Sequence, residues 1–253
     1  MADIALNKKG NPQPDDEITY GLKLKKAKRS LLIVGIISIV MMFSGLTSAY
    51  IVSRGGAPYW VNITMPSAFW VSTVFIVLSS LTMILAVRAV KRDNKPLLNG
   101  MLLSTLILGL LFVNSQLNGW GELVDRGLNL TGNFLEQLKG EYGKDYYITD
   151  QQGLIVEYKD GKFFDPQDPM GKEDIDQEIR TMRNPAATYM NFLTGLHAAH
   201  VAGGLLYLIY VVILGLIGRL DSQRSLKVTQ LATYWHFVDI LWVYLLLFLY
   251  FIH

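Results

Sequence analysis

Five stretches of this chain are apolar for about twenty residues or more, and no other feature of the sequence restricts its fold as strongly. The hydrocarbon core of a bilayer is about 30 Å thick and an α-helix rises about 1.5 Å per residue, so about 20 residues make one crossing. Lipid offers no hydrogen-bond partners, so such runs must satisfy their own backbone groups as helices. The runs are Leu31–Val52, Ala68–Val87, Leu97–Leu117, a fourth that starts after Pro185 and ends near Gly218, and Thr229–Ile252. The fourth is longer than one crossing needs, so it tilts or its first turns stand above the membrane. Pro185 suits a helix start, where a missing N–H is no loss. The expected fold is therefore all-α and integral to the membrane. Composition agrees: 17% of the 253 residues are charged, against about 25% in soluble domains, and the charges lie between the apolar runs.

Residues 1–22 are polar and carry Asp3, Asp15, Asp16 and Glu17, and the apolar run that follows is too long for the core of a cleavable signal. The first run is expected to stay as an anchor. A net charge of +2 gives no reason to expect a nucleic-acid partner. The absence of cysteine excludes disulfides, iron–sulfur clusters and thiolate metal sites on this chain.

Lysine and arginine in short flanking loops set the orientation. Lys8, Lys9, Lys23, Lys25, Lys26, Lys28 and Arg29 precede the first run. Arg88, Lys91, Arg92 and Lys95 lie between the second and third, and Arg219, Arg224 and Lys227 between the fourth and fifth. The short loop 53–67 holds only Arg54. The N-terminus is thus expected in the cytoplasm and the C-terminus outside. The divisions are a cytoplasmic segment 1–30, helices one to three over 31–118, an external insertion 119–185, and helices four and five over 186–253.

The insertion carries 14 acidic and 8 basic residues. Asp160-Gly161, between Val156–Lys159 and Lys162–Phe164, is a tight-hairpin signal. Leu130–Tyr142 and Lys172–Arg183 have the pattern of short amphipathic helices. A small mixed structure is expected, either packed on this chain's own loops or docking another protein. Tyr146, Tyr147, Tyr158, Phe163 and Phe164 could form the apolar centre of such an interface, with the acidic residues at its rim.

Ionisable groups inside a bilayer are costly and face other helices. His197 and His200 lie in the fourth run, and His236 and Asp239 in the fifth; each pair is three apart and shares a helical face. Three readings compete: a haem or metal site, a proton relay, and a structural hydrogen-bond cluster in which Asp239 and His236 satisfy each other. Axial haem ligands should sit at one depth, but His200 and His236 differ by roughly 10 Å. A zinc site lacks further ligands, and one carboxylate is thin material for a relay. The structural cluster is favoured. Gly195, Ala199 and Gly203 on the fourth run, and Gly45 and Ala49 on the first, are spaced for close helix approach.

The run Thr194-Gly195-Leu196-His197-Ala198-Ala199-His200-Val201 resembles the T-G-x-H-x-x-H-V signature of haem–copper oxidase subunit III. Tyr234-Trp235-His236-Phe237-Val238-Asp239-Ile240-Leu241-Trp242 resembles the same family's Y-W-H-F-V-D-x-x-W. Phe43–Tyr50 is similar to its F-x-G-L-x-x-A-Y stretch, and Gln116 to a glutamine that ends its third span. The resemblance implies a non-catalytic subunit of cytochrome c oxidase in aerobic respiration, in the bacterial inner membrane. Such a subunit binds no haem or copper itself; partner subunits I and II carry them. It contacts phospholipid, stabilises the catalytic subunit and supports proton uptake. His197, His200, Trp235, His236, Asp239, Gly195, Ala199 and Gly203 are then residues of structure or of subunit and lipid interfaces. The insertion could meet cytochrome c or another respiratory complex. Quinol oxidases share the short five-span form, and a related protein accompanies nitric oxide reductases. A standalone b-type cytochrome using His200 and His236 is the rival of another class. A transporter would be a third kind, but no inverted repeat is visible.

Three departures stand out. The mitochondrial form has seven spans, and the two absent here form one wall of a lipid-filled cleft. Ile39 stands where the family often has a glutamate. Residues 119–185 are longer than the usual loop.

Overall fold

Each apolar run forms one long helix. The computed structural model describes residues 14–128, 139–168, 174–183, 185–220 and 225–252. In chain order the elements are α1 (Pro14–Gly56), β1 (Tyr59–Ile63), α2 (Ser67–Lys91), α3 (Lys95–Asp125), β2 (Tyr146–Asp150), β3 (Glu157–Lys159), β4 (Lys162–Phe164), α4 (Asp176–Thr181), α5 (Pro185–Leu216) and α6 (Ser225–Ile252). Among the described residues five helices are long and apolar enough to cross a membrane. The shortest, α2, has 25 residues, or about 37 Å at about 1.5 Å per residue. α1 begins at Pro14 rather than near Leu31, and its 43 residues make it about 65 Å long. Its basic N-terminal turns therefore extend beyond any bilayer as continuous helix.

α2 and α3 form a tight hairpin. Asp93 takes a left-handed conformation (φ 54°), and the Asn94 side chain accepts from the Leu97 N–H at 3.2 Å. Pro96 in the first turn of α3 loses no hydrogen bond there. α6 packs between α2 and α5, α3 closes on α5, and α1 lies against α5 and α6. The bundle's centre is aromatic, with Trp235, Trp242, Phe69 and Phe112 fully buried. Close approach depends on glycines: a Cβ at Gly109 would stand 3.0 Å from Leu205 and 3.1 Å from Trp235, and one at Gly119 would collide with the Phe69 ring.

The insertion folds onto the loop between α1 and α2. β1 pairs antiparallel with β2, from Tyr59 opposite Asp150 to Ile63 opposite Tyr146. The two connections therefore emerge on the same side of the bundle. Arg126, at the end of α3, donates to the Thr64 carbonyl at 2.9 Å and pairs with Glu122 and with Asp145. β3 and β4 form the hairpin expected at Asp160-Gly161, whose φ angles of 50° and 82° are those its turn requires. Ile148, Val156, Phe163 and Ile179 are buried as a small core. Asp150 organises the next turn by accepting from the N–H groups of Gln152 and Leu154 and from the Gln167 amide. Burial acts to raise the Asp150 carboxyl, but these donors outweigh it and hold it below the usual carboxylate range.

Of the two helices expected in the insertion, one is shorter and the other falls largely on residues not described. Most of Leu130–Tyr142 lies outside the described residues, and Tyr142 itself forms a β-bridge with Tyr146. Lys172–Arg183 shortens to the six residues of α4. Of the five aromatic residues proposed for an interface, Tyr146 and Phe163 are buried in the insertion's own packing, whereas Tyr147 and Tyr158 are exposed.

Candidate functional site: polar groups between the helices

Hydroxyl and amide side chains join the helices of the bundle, as expected where lipid offers no competing partner. Trp235 Nε1–H donates to Ser79 at 2.9 Å, and Trp242 Nε1–H to Thr73 at 2.9 Å, which fixes α6 on α2. Gln116 donates to Ser72 at 2.8 Å, and Thr82 and Thr105 share a 2.8 Å bond, which fixes α3 on α2. Trp120 Nε1–H donates to Thr194 at 3.1 Å and joins α3 to α5. The motifs pointed to Trp235 and Gln116 but not to their serine partners, Ser79 and Ser72. The signal was present as hydroxyls recurring in the second run at Ser72, Thr73, Ser79, Ser80 and Thr82.

The four ionisable residues do not form one cluster. His197 is buried, with Trp242 at 5.3 Å between ring centroids and Phe112 at 6.2 Å, and neither ring nitrogen has a hydrogen-bond partner. His200 faces α1, where its ring lies 5.9 Å from Phe43. Its Nδ1 is 2.8 Å from the Leu196 carbonyl, which can only accept, so Nδ1 carries the proton. His236 turns to α2, with Nδ1 2.6 Å from Ser80 Oγ. No hydrogen bond or ring contact joins His200 to His236 among the described residues, and no group of three or more His, Asp or Glu side chains could hold a metal there.

The expected mutual satisfaction of Asp239 and His236 is therefore corrected. They share a helical face, but His236 is taken by Ser80. Asp239 is 5% exposed, and neither carboxylate oxygen has a hydrogen bond of ordinary geometry. Ser80 of α2 stands beside its carboxyl. α5 and α6 are joined instead by the Tyr234 hydroxyl, which donates to the backbone carbonyl of His200 at 3.0 Å, and by Lys227 Nζ, which donates to the Tyr210 hydroxyl at 3.0 Å.

The small-residue face does not pack against this chain's own helices. Gly195 and Gly203 have open space where a Cβ would stand, and Ala199 is exposed. Gly45 is equally open, and Ala49 is exposed. The glycines that permit close packing are Gly109, Gly119, Gly204 and Gly215, each with a neighbouring side chain within 3.1 Å of its missing Cβ. Gly203 and Gly204 are adjacent, so one residue of helical rotation separates the open face from the packed one.

No family model matches the chain. It is 24% identical to the probable cytochrome c oxidase subunit 3 of Nocardia farcinica over 225 residues, which cover 87% of this chain and 85% of that protein. It is 24% identical to the cytochrome c oxidase subunit 3 of Corynebacterium diphtheriae over 220 residues, 84% of this chain and 82% of that one. It is 21% identical to the probable quinol oxidase subunit 3 of Staphylococcus saprophyticus over 175 residues, 69% of this chain and 62% of that one.

Proposed function

We propose that this chain, which belongs to the haem–copper oxidase subunit III family, serves as subunit III of a bacterial cytochrome c oxidase. The observation that carries the choice is coverage. The matches named cytochrome c oxidase subunit 3 in Nocardia and Corynebacterium extend over 82–85% of those proteins, whereas the Staphylococcus quinol oxidase subunit is matched over 62%. The role is non-catalytic. The buried polar groups of α2, α3, α5 and α6 are mostly committed to helix–helix hydrogen bonds, and haem and copper belong to partner subunits I and II. The chain spans the bacterial inner membrane with its basic N-terminal turns in the cytoplasm and the insertion outside. It stabilises the catalytic subunit and borders phospholipid. Tyr147, Leu154, Ile155 and Tyr158 are exposed apolar side chains of the insertion, and they are the groups it offers for docking cytochrome c or another respiratory protein.

The test is isolation of the tagged chain from its native membrane in mild detergent. Haem- and copper-bearing subunits are expected to accompany it, and a Soret band is expected only in their presence. A Soret band from this chain alone that disappears in His200→Ala would establish the b-type cytochrome reading instead. Ile155→Ser with Tyr158→Ser is expected to slow electron entry from cytochrome c or remove a bound subunit. An unchanged subunit set with unchanged donor kinetics would end the docking role.

A further inference from the structure

Two tryptophan bonds set the register of α6 on α2: Trp235 on Ser79 and Trp242 on Thr73. In that register Ser80, one residue on from Ser79, meets the part of α6 that carries His236 and Asp239. Its Oγ is 2.6 Å from His236 Nδ1, and it stands beside the Asp239 carboxyl. The histidine and the aspartate are three residues apart, or about 4.5 Å along the helix axis. No direct hydrogen bond joins them among the described residues. Ser80 is thus the group the two titratable side chains have in common.

A hydroxyl has one hydrogen and two lone pairs, and this restricts what the three groups can do together. When His236 Nδ1 is bare, Ser80 donates to it. The carboxyl is then matched only as an acid that donates to Ser80 Oγ. When Nδ1 carries a proton, it donates to Ser80, and the serine hydrogen turns to an ionised carboxylate. The proton on Asp239 and the proton on Nδ1 therefore exclude each other through a single oxygen.

Charge restricts the choice further. The groove beside Asp239 is lined by Val77, Leu81 and Ile84 of α2 and Ile240, Val243 and Leu247 of α6, and no lysine or arginine lines it. An unbalanced charge in such surroundings is costly. Two arrangements are matched and carry no net charge: carboxylic acid with neutral imidazole, and carboxylate with imidazolium. The other titratable side chains nearby are committed elsewhere. Tyr244 lines the same groove but donates to Thr47 of α1. His197 of α5 lies against Trp242 and Phe112, and His200 faces Phe43 of α1. No hydrogen bond leads onward from His236 among the described residues, so the unit is local and is not a path across the bilayer.

We infer that Asp239, Ser80 and His236 form one proton-binding unit, which holds a single proton between carboxyl and imidazole. The carboxyl passes its proton to Ser80 Oγ as Ser80 passes its own to His236 Nδ1. The products are a carboxylate and an imidazolium, the hydroxyl is regenerated, and the net charge stays at zero. The unit stands whether or not the chain serves an oxidase.

The full-length chain, carrying nitrogen-15-labelled histidine and reconstituted in lipid, is read by infrared and solid-state NMR spectroscopy. The Asp239 carboxyl is identified by the bands lost in Asp239→Asn, and the His236 nitrogens by the signals lost in His236→Gln. Near neutral pH a protonated carboxyl is expected with a neutral imidazole, or a carboxylate with an imidazolium, and any change in one group accompanies a change in the other. A carboxylate beside a neutral imidazole, or a protonated carboxyl beside an imidazolium, overturns the inference. Ser80→Ala removes the shared oxygen. The carboxyl band and the Nδ1 signal are both expected to shift, because each group loses its partner, and Ser80→Thr is expected to return both toward their original positions. Signals unmoved in Ser80→Ala would show that no proton is held through Ser80.

Discussion

α1 and α6 are both apolar enough to cross a membrane, yet they occupy opposite positions in the molecule. In its most apolar stretch α6 is 50% buried, and α1 only 11%. α6 has neighbours on several sides and two tryptophans fixed by hydrogen bonds. α1 meets the bundle through a narrow stripe: Phe43, Thr47 and Tyr50, at spacings of four and three, are its buried residues among those described. Tyr50 meets Trp60, Tyr189 and Phe248 edge-on at 5.3–5.5 Å. Toward its N-terminus α1 parts from α5 and α6 and leaves an opening of about 570 Å3 that Gly203 lines. Apolarity therefore reports solubility in lipid, and says little about which helix holds the fold together.

The largest expected effect tests the packed side of this comparison. Trp235→Ala removes a buried indole wedged between Gly109 and Gly204 and leaves Ser79 without its donor. A loss of about 3–5 kcal/mol is expected. Met41→Ala on α1 removes a side chain that is 70% exposed, and should change stability by less than about 0.5 kcal/mol. Unfolding of the chain in detergent measures both. Equal losses would mean that α1 is packed as firmly as α6.

Glycine replacements sharpen the comparison at intermediate size. Gly119→Val forces a branched side chain against the Phe69 ring and should cost about 1–3 kcal/mol. Gly45→Val on α1 meets open space and should be near neutral in the chain itself. If Gly45→Val left the chain stable but reduced recovery of the complex, the face of α1 would be an interface with a partner.

The spans and the Asp160-Gly161 hairpin were legible because each rests on local pattern: hydropathy over about twenty residues, and a turn only certain residues adopt. The pairing of β1 with β2 was not. Tyr59–Ile63 is five residues of a short loop, and its partner lies more than eighty residues away. The polar site was half legible. Spacing placed Asp239 and His236 on one face, but a shared face does not say which neighbour a side chain meets, and Ser80 took the histidine. Small residues misled for the same reason. Gly195 and Gly203 have the right period, but Gly204, one position on, faces Tyr234 and Trp235.

The smallest expected effect concerns one polar tie between the two helices, the other being Arg54 of α1, which donates to the Ile252 carbonyl of α6. The Tyr244 hydroxyl of α6 donates to Thr47 Oγ1 of α1 at 3.1 Å. Thr47 is not dependent on it, because its own hydroxyl hydrogen faces the carbonyls of Phe43 at 3.0 Å and Ser44 at 3.2 Å. Tyr244→Phe thus leaves Thr47 matched, whereas Thr47→Val leaves the phenol without its acceptor. Single losses of unequal size are expected, with the larger from Thr47→Val. The coupling in the double-mutant cycle should be about 0.6 kcal/mol, the common size for hydrogen bonds between membrane helices. Reversible unfolding in detergent of the four variants supplies it. Zero coupling would leave the Phe43 and Tyr50 ring contacts, with the Ser53–Tyr189 and Arg54–Ile252 hydrogen bonds at the far end, as the hold on α1. Coupling above about 2 kcal/mol would make the attachment chiefly polar, and α1 would then be bound more like α6 than its exposure suggests.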